Sequence, residues 1–198
     1  MTTWIKHSLA HQDEGVHRKK NQMSFCYWLT GLPGAGKTTI AVRTANDLRE
    51  RGYQVCVLDG DELRRGMNSD LGFSRADRAE NVRRISQVAR LMVDAGLIVF
   101  VSTISPYRTD RDAALGTVGH GRCFEVFIDT DLVVCVARDP KGLYARAKAG
   151  ELTGLTGWDD PYEIPLAPDI AIRTETVSID EAMLQIEAHY FSMNIETQ

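Results

Sequence analysis

"LTGLPGAGKTTI", residues 29–40, decides the fold. Gly31, Gly36, Lys37 and Thr38 fit the spacing G-x-x-x-x-G-K-S/T, with Gly34 adding flexibility between them. That spacing is a device for gripping phosphate, and it needs a strand before it and a helix behind it. Both are legible: "FCYWLT" (25–30) is a short apolar run, and a helical pattern extends from about Lys37 to Arg51. The glycines let the backbone curl so that its N–H groups point at phosphate oxygens, and the helix N-terminus adds positive potential. On this reading Gly31, Leu32, Pro33, Gly34, Ala35, Gly36, Lys37, Thr38 and Thr39 hold a nucleoside triphosphate. Lys37 reaches its β- and γ-phosphates, and the Thr38 hydroxyl binds Mg²⁺.

Outward from this loop, apolar runs alternate with helical patterns. "QVCVLD" (54–59) precedes a long helix, "LIVFVST" (97–103) and "CFEVFID" (123–129) each precede another, and "DIAIRTE" (169–175) precedes the closing "IDEAMLQIEAHYF" (179–191). Strands alternating with helices make a mainly parallel sheet, because parallel neighbours need crossovers and those crossovers cover both faces. The expected fold is therefore a three-layer α/β/α domain of the P-loop NTPase type, with a five-stranded sheet whose ligands bind outside the strand carboxyl ends. Within the long helix, Val82, Ile85, Val88, Ala89, Met92 and Val93 form one apolar stripe, and Ser74 with Asp77 reads as its N-terminal cap. Arg78 and Asn81 are neighbours near that end, which faces the ligand side.

With 198 residues, 43% of them hydrophobic, the chain suits one domain. The domain is expected over 23–198, preceded by an arm over 1–22 with little hydrophobic periodicity. A formal charge of −4 argues against a broad footprint for nucleic acid or membrane. The N-terminus lacks the apolar core of a signal peptide, and no run approaches the roughly 18 apolar residues of a membrane helix. Four cysteines, Cys26, Cys56, Cys123 and Cys135, lie in apolar stretches without close pairing and read as buried thiols of a cytoplasmic protein.

The acceptor of the phosphate is written further on. "LDGDELRRGM" (58–67) places Asp59 and Asp61 at a strand's carboxyl end, beside the loop. Asp61 suits the task of accepting or orienting a hydroxyl proton. Asp59 has two readings, a Mg²⁺ partner or a helix N-cap. Six arginines and no lysine follow before residue 85: Arg64, Arg65, Arg75, Arg78, Arg83 and Arg84. A solvated helix face accounts for two or three, and the rest suit an acceptor carrying phosphate or sulfate, because guanidinium grips oxyanions with a fixed fork. Phe73, between arginines, is placed to stack on a base or to sit in the core. A switch GTPase is disfavoured by the absence of an N/T-K-x-D element. A nucleotide-binding regulatory domain without turnover stays open at this point.

"GLPGAGKTT", "LDGDELRRGMNSDLGFSRADRAENVRR", "ISPYRTDRD" and "RDPKGLYARAKAGELTGLTG" together resemble, in order and spacing, the motifs of the adenylylsulfate kinase family. The resemblance spans about Tyr27 to Ile172. It implies an ATP-dependent transfer of the γ-phosphoryl group to the 3′-hydroxyl of adenosine 5′-phosphosulfate, feeding sulfate activation, by a homodimer with small-molecule substrates. It further implies that Asp61 acts at the 3′-hydroxyl, that Arg64, Arg78 and Asn81 hold phosphosulfate and ribose, and that Phe73 stacks on adenine. Ile104 and Ser105 would line the acceptor pocket, Ser105 matching a serine that is phosphorylated in some members; direct transfer is favoured, since no histidine accompanies it. Arg138 would lie near the ATP adenine. Residues from Lys141, over about 141–166, resemble a helical lid, with Lys141 contacting acceptor or phosphates and Leu155 and Thr156 meeting the acceptor; Gly150, Gly154 and Gly157 are candidate hinges. The chain departs from the pattern at Leu155, where an aromatic is usual, at Glu62 and at Trp158, so a kinase for a different nucleotide-type acceptor is the runner-up.

Overall fold

The computed structural model describes residues 22–195. The arm expected over 1–22 lies outside the described residues except for Gln22, whose amide donates to the carbonyls of Gln54 (2.9 Å) and Gly96 (2.7 Å). The chain then runs β1 (Cys26–Thr30), α1 (Lys37–Glu50), β2 (Val55–Asp59), α2 (Gly60–Arg65), α3 (Arg75–Asp94), β3 (Ile98–Ser102), α4 (Arg108–Val118), β4 (Cys123–Asp129), α5 (Leu132–Arg138), α6 (Leu143–Lys148), β5 (Ile170–Arg173) and α7 (Ile179–Ile195). The five strands form one sheet in the order β2-β3-β1-β4-β5, with every pairing parallel. Both the strand count and the parallel alternation match the expectation from sequence.

Side-chain alternation divides β1 and the preceding Phe25 between two cores. Phe25, Tyr27 and Leu29 pack with Ile40, Ala45 and Leu48 of α1 and Ile186 and Tyr190 of α7. Cys26 and Trp28 pack with Val82, Ile85, Ala89 and Val93 of α3 and Ala114 and Val118 of α4. Helices on both faces explain why β1 and β3 read as continuous apolar runs: every residue in them is buried. The stripe of α3 lies against the sheet as its spacing requires, and Ser74 caps it, its hydroxyl accepting from the Asp77 N–H at 3.1 Å. All four cysteines are free thiols; Cys56 is only half-buried, because β2 is the edge strand.

The order β3-β1-β4 puts consecutive loops on opposite sides of the central strand, leaving a crevice at its carboxyl end. Register levels the rim: Asp59 pairs with Ser102, and Ser102 with Leu29. Ile85, fully buried, holds α3 in the attitude that aims Arg78 and Asn81 at that rim. Ile85→Ala is expected to lower unfolding stability by about 2–5 kcal/mol, read as a shifted urea midpoint with an unchanged slope.

Candidate active site

The phosphate loop is shaped by close contact with β4. A Cβ on Gly31 would lie 2.6 Å from the Ile128 carbonyl oxygen, so only glycine fits between loop and strand. Lys37 folds back beneath the loop and donates to the carbonyls of Gly31 and Leu32, both at 2.9 Å. Burial lowers its ammonium pKa from the ordinary 10.5 to about 8. Thr38 donates to Asp59 Oδ2 at 2.7 Å and shares a hydrogen bond with Ser102 Oγ at 2.9 Å. The other oxygen of Asp59 accepts from the N–H groups of Asp61 (2.9 Å) and Glu62 (3.2 Å), capping α2. Of the two readings the sequence left open, the structure shows the cap, and the same carboxylate also holds Thr38. Its oxygens and the two hydroxyls form an all-oxygen set of the kind a hard cation such as Mg²⁺ prefers.

The first turn of α2 presents Asp61 to the crevice, where the Lys141 ammonium pairs with it from across the opening. Arg64 donates to the carbonyls of Leu71 (3.2 Å) and Gly72 (2.8 Å) and lies over the Phe73 ring at 4.6 Å. Arg78 is buried and reaches two segments, donating to Phe73 O at 3.0 Å and to Gly154 O at 2.7 Å. Phe73 itself is 66% exposed, so it is a platform facing the crevice and not a core residue. Asn81 is buried, its side-chain oxygen accepting from Asn68 at 2.9 Å. Of the other arginines, Arg75, Arg83 and Arg84 form surface ion pairs with Asp110, Glu80 and Asp70, and Arg65 pairs with Glu62 at the rim.

Lys37, Thr38, Asp59, Asp61, Arg64, Phe73, Arg78 and Asn81 share one cleft of about 970 Å³, which also takes in Ile104, Ser105, Arg138 and Lys141. Arg138 bonds Thr174 through its hydroxyl (2.9 Å) and carbonyl (3.1 Å), beside the far end of the loop. Ser105 is held in a left-handed conformation, φ 41°, which for a non-glycine residue stores about 1–3 kcal/mol of strain. Its hydroxyl is enclosed: Trp28 Nε1 donates to it and it donates to Thr30, both at 3.1 Å.

Two expected acceptor residues stand elsewhere. Leu155 packs into the α1–α7 core and Thr156 is buried behind it, so neither lines the cleft; Asp159 fixes this posture by accepting from the N–H groups of Gly154 (2.8 Å) and Leu155 (2.6 Å). Gly150, Gly154 and Gly157 do adopt positive φ, and Gly157 lies directly against the Leu32 side chain. Leu32 faces away from the main cleft into a second cavity of about 630 Å³ that reaches Trp158 and Tyr162. Ser102, Asn68 and Tyr162 went unread in the sequence. Only position at a strand's end could have flagged Ser102; nothing local marks the other two.

The family model described as adenylylsulphate kinase matches residues 23–173. The chain belongs to the adenylylsulphate kinase family. Among curated relatives, the adenylyl-sulfate kinase of Bacillus pumilus is 51% identical over 179 residues, 90% of each chain. That of Geotalea daltonii is 45% identical over 187 residues, 94% of this chain and 91% of its own. Among solved structures, the Mycobacterium tuberculosis APS kinase in complex with AMPPNP and APS superposes with a TM-score of 0.81 at 47% identity, covering 84% of this chain and 97% of that one. In this chain Lys37 and Thr38 of the loop and Asp61, Arg64, Phe73, Arg78 and Asn81 line the same cleft.

Lys37 supplies a pH signature. Its folded pKa, about 8, lies below the 10.5 of the unfolded chain, so the folded state binds fewer protons between those values. The buried charge therefore costs stability below about pH 8, and the cost is relieved as pH rises through this window. A bound triphosphate favours the charged form and reverses the loss. Calorimetric titration with MgATP at pH 8.5, in buffers of different ionisation enthalpy, is expected to show uptake of a fraction of one proton; Lys37→Met is expected to abolish it.

Proposed function

We propose that the protein transfers the γ-phosphoryl group of ATP to the 3′-hydroxyl of adenosine 5′-phosphosulfate, giving 3′-phosphoadenosine 5′-phosphosulfate and ADP. The observation that carries this reading is the single cleft in which Lys37 and Thr38 of the loop face Asp61, Arg64, Phe73, Arg78 and Asn81. In this mechanism Lys37 exchanges the Gly31 and Leu32 carbonyls for phosphate oxygens, and the loop N–H groups complete the grip. Asp61 exchanges Lys141 for the acceptor 3′-hydroxyl and holds its proton as the oxygen attacks in line. Lys141, released, turns to the transferring phosphate. Arg64, Arg78 and Asn81 bind the phosphosulfate and ribose, Phe73 stacks on the acceptor adenine, and Arg138 lies beside the ATP base.

Thr38 and Asp59 would hold Mg²⁺, aided by the triphosphate. Bound there, the ion would offset charge on the β- and γ-oxygens. Transfer is direct in this reading: the enclosed Ser105 hydroxyl forms wall and not nucleophile, since using it would require breaking its bonds to Trp28 and Thr30. The departures from the family pattern leave the acceptor unchanged. Leu155 lies in the core, Glu62 is engaged by Arg65 at 2.6 Å, and Trp158 packs edge-on against Tyr144. The proposal extends to closure of residues 141–166 over the cleft, which would exclude water from the phosphoryl group. It extends also to a homodimer, as the family resemblance implies, and to the cytoplasm, as the unpaired cysteines suggest; among the described residues no helix is long and apolar enough to cross a membrane.

The test is ADP release with MgATP, comparing adenosine 5′-phosphosulfate with AMP, ADP, CDP and no acceptor. Release with the phosphosulfate alone is expected; preference for another nucleotide would overturn the acceptor assignment. Asp61→Asn is expected to lower kcat by about 10²- to 10⁴-fold while leaving ATP affinity within about twofold, checked by steady-state kinetics beside nucleotide titration.

A further inference from the structure

We infer that Arg111 is a positioning residue for the acceptor half of this reaction, locking the cleft wall at 104–106 to the end of the 141–166 segment; the inference rests on the functional reading above. Arg111 stands in the first turn of α4 and is 1% exposed. Its guanidinium donates in three directions: Nε to Glu125 Oε1 of β4 at 2.6 Å, Nη1 to Ser105 O at 2.8 Å, and Nη2 to Glu163 O at 2.7 Å. Around it the two segments are laced together. Glu163 N–H donates to Pro106 O at 2.8 Å, Arg108 N–H donates to the Glu163 carboxylate at 2.8 Å, and the Tyr162 and Thr30 hydroxyls share a hydrogen bond at 2.9 Å. Thr30 in turn donates to Ile104 O at 2.7 Å.

The choice of arginine is informative. Stability alone does not call for a buried Arg–Glu pair, because well-packed apolar side chains of similar volume stabilise as well or better. Apolar side chains cannot hold two carbonyls from distant segments at a set separation; a planar fork with donors on both arms can. Lysine would still meet Glu125, but one ammonium on a flexible stem does not reproduce that separation. The wall also needs restraint, since Ser105 holds its positive φ only while its surroundings over-determine it. Losing the fork lets Ser105 relax and moves Ile104 away from the acceptor. The donor loop has bonds of its own through Lys37, Thr38 and Asp59.

The test uses Arg111→Lys and the charge-balanced double variant Arg111→Met with Glu125→Leu. Steady-state kinetics with MgATP and adenosine 5′-phosphosulfate, thermal midpoints and hydrogen exchange at the Glu163 amide are measured for both. The expected result is a rise of about tenfold or more in KM for the phosphosulfate, KM for ATP within about twofold, and faster exchange at Glu163. An acceptor KM within about twofold of wild type would overturn the inference, as would parallel rises in both KM values with a lowered midpoint. Should the double variant fail to fold, Arg111→Lys decides. A wild-type protein inactive on the phosphosulfate would sink the functional reading instead, and exchange at Glu163 would then decide this inference by itself.

Discussion

Everything at the rim of this molecule depends on the parallel pairing of β1 with β3 and β4. Parallel pairing sends every strand the same way, so all carboxyl ends, and the loops that leave them, gather on one edge. Register then sets their height. Asp59, Ser102 and Leu29 stand level, which is why Thr38, one turn into the site, can meet a carboxylate from β2 and a hydroxyl from β3 together. A slip of one residue in β2 would turn Leu58 toward the loop and Asp59 into the core.

The electrostatics are equally local. The protein is acidic overall, yet two lysines and four arginines line the cleft. Four of them are held by partners within the protein: Lys37 by carbonyls, Lys141 by Asp61, and Arg64 and Arg78 by the backbone and ring around Phe73. Ligand binding in such a site is mainly an exchange of partners. That limits its energetic gain, because an interaction already made internally is surrendered, but spares the resting protein an unpaired buried charge. The remaining arginines of the same stretch are spent on surface carboxylates and contribute little to binding or stability.

How much of this was legible follows the range of each interaction. The strands, the α3 stripe and the Ser74 cap were readable because their causes repeat within a few residues: alternation, three-to-four spacing, and a hydroxyl three positions before its partner. Lys37, Asp61 and Arg64 were readable because the loop and the Asp-Gly-Asp turn are contiguous motifs. Arg111 and Tyr162 were not. Thr30, the partner of Tyr162, and Glu163, one partner of Arg111, lie far along the chain, and a fully buried arginine looks in sequence like any other charge on a helix. Leu155 was misplaced for a related reason: resemblance marked the segment as a lid, but whether a side chain turns inward depends on the Asp159 carboxylate and the core beneath it.

The contact between Gly157 and Leu32 joins the 141–166 segment to the phosphate loop. A Cβ at 157 would stand 2.4 Å from Leu32 Cδ2, well inside contact distance, in a backbone posture that already excludes most side chains. Leu32 belongs to the phosphate loop and Gly157 to the 141–166 segment, and both line the second cavity. The clearance between them is therefore a mechanical tolerance, one hydrogen atom wide. A methyl group there would push the end of the Leu32 side chain aside, at a residue whose φ of 85° already favours glycine.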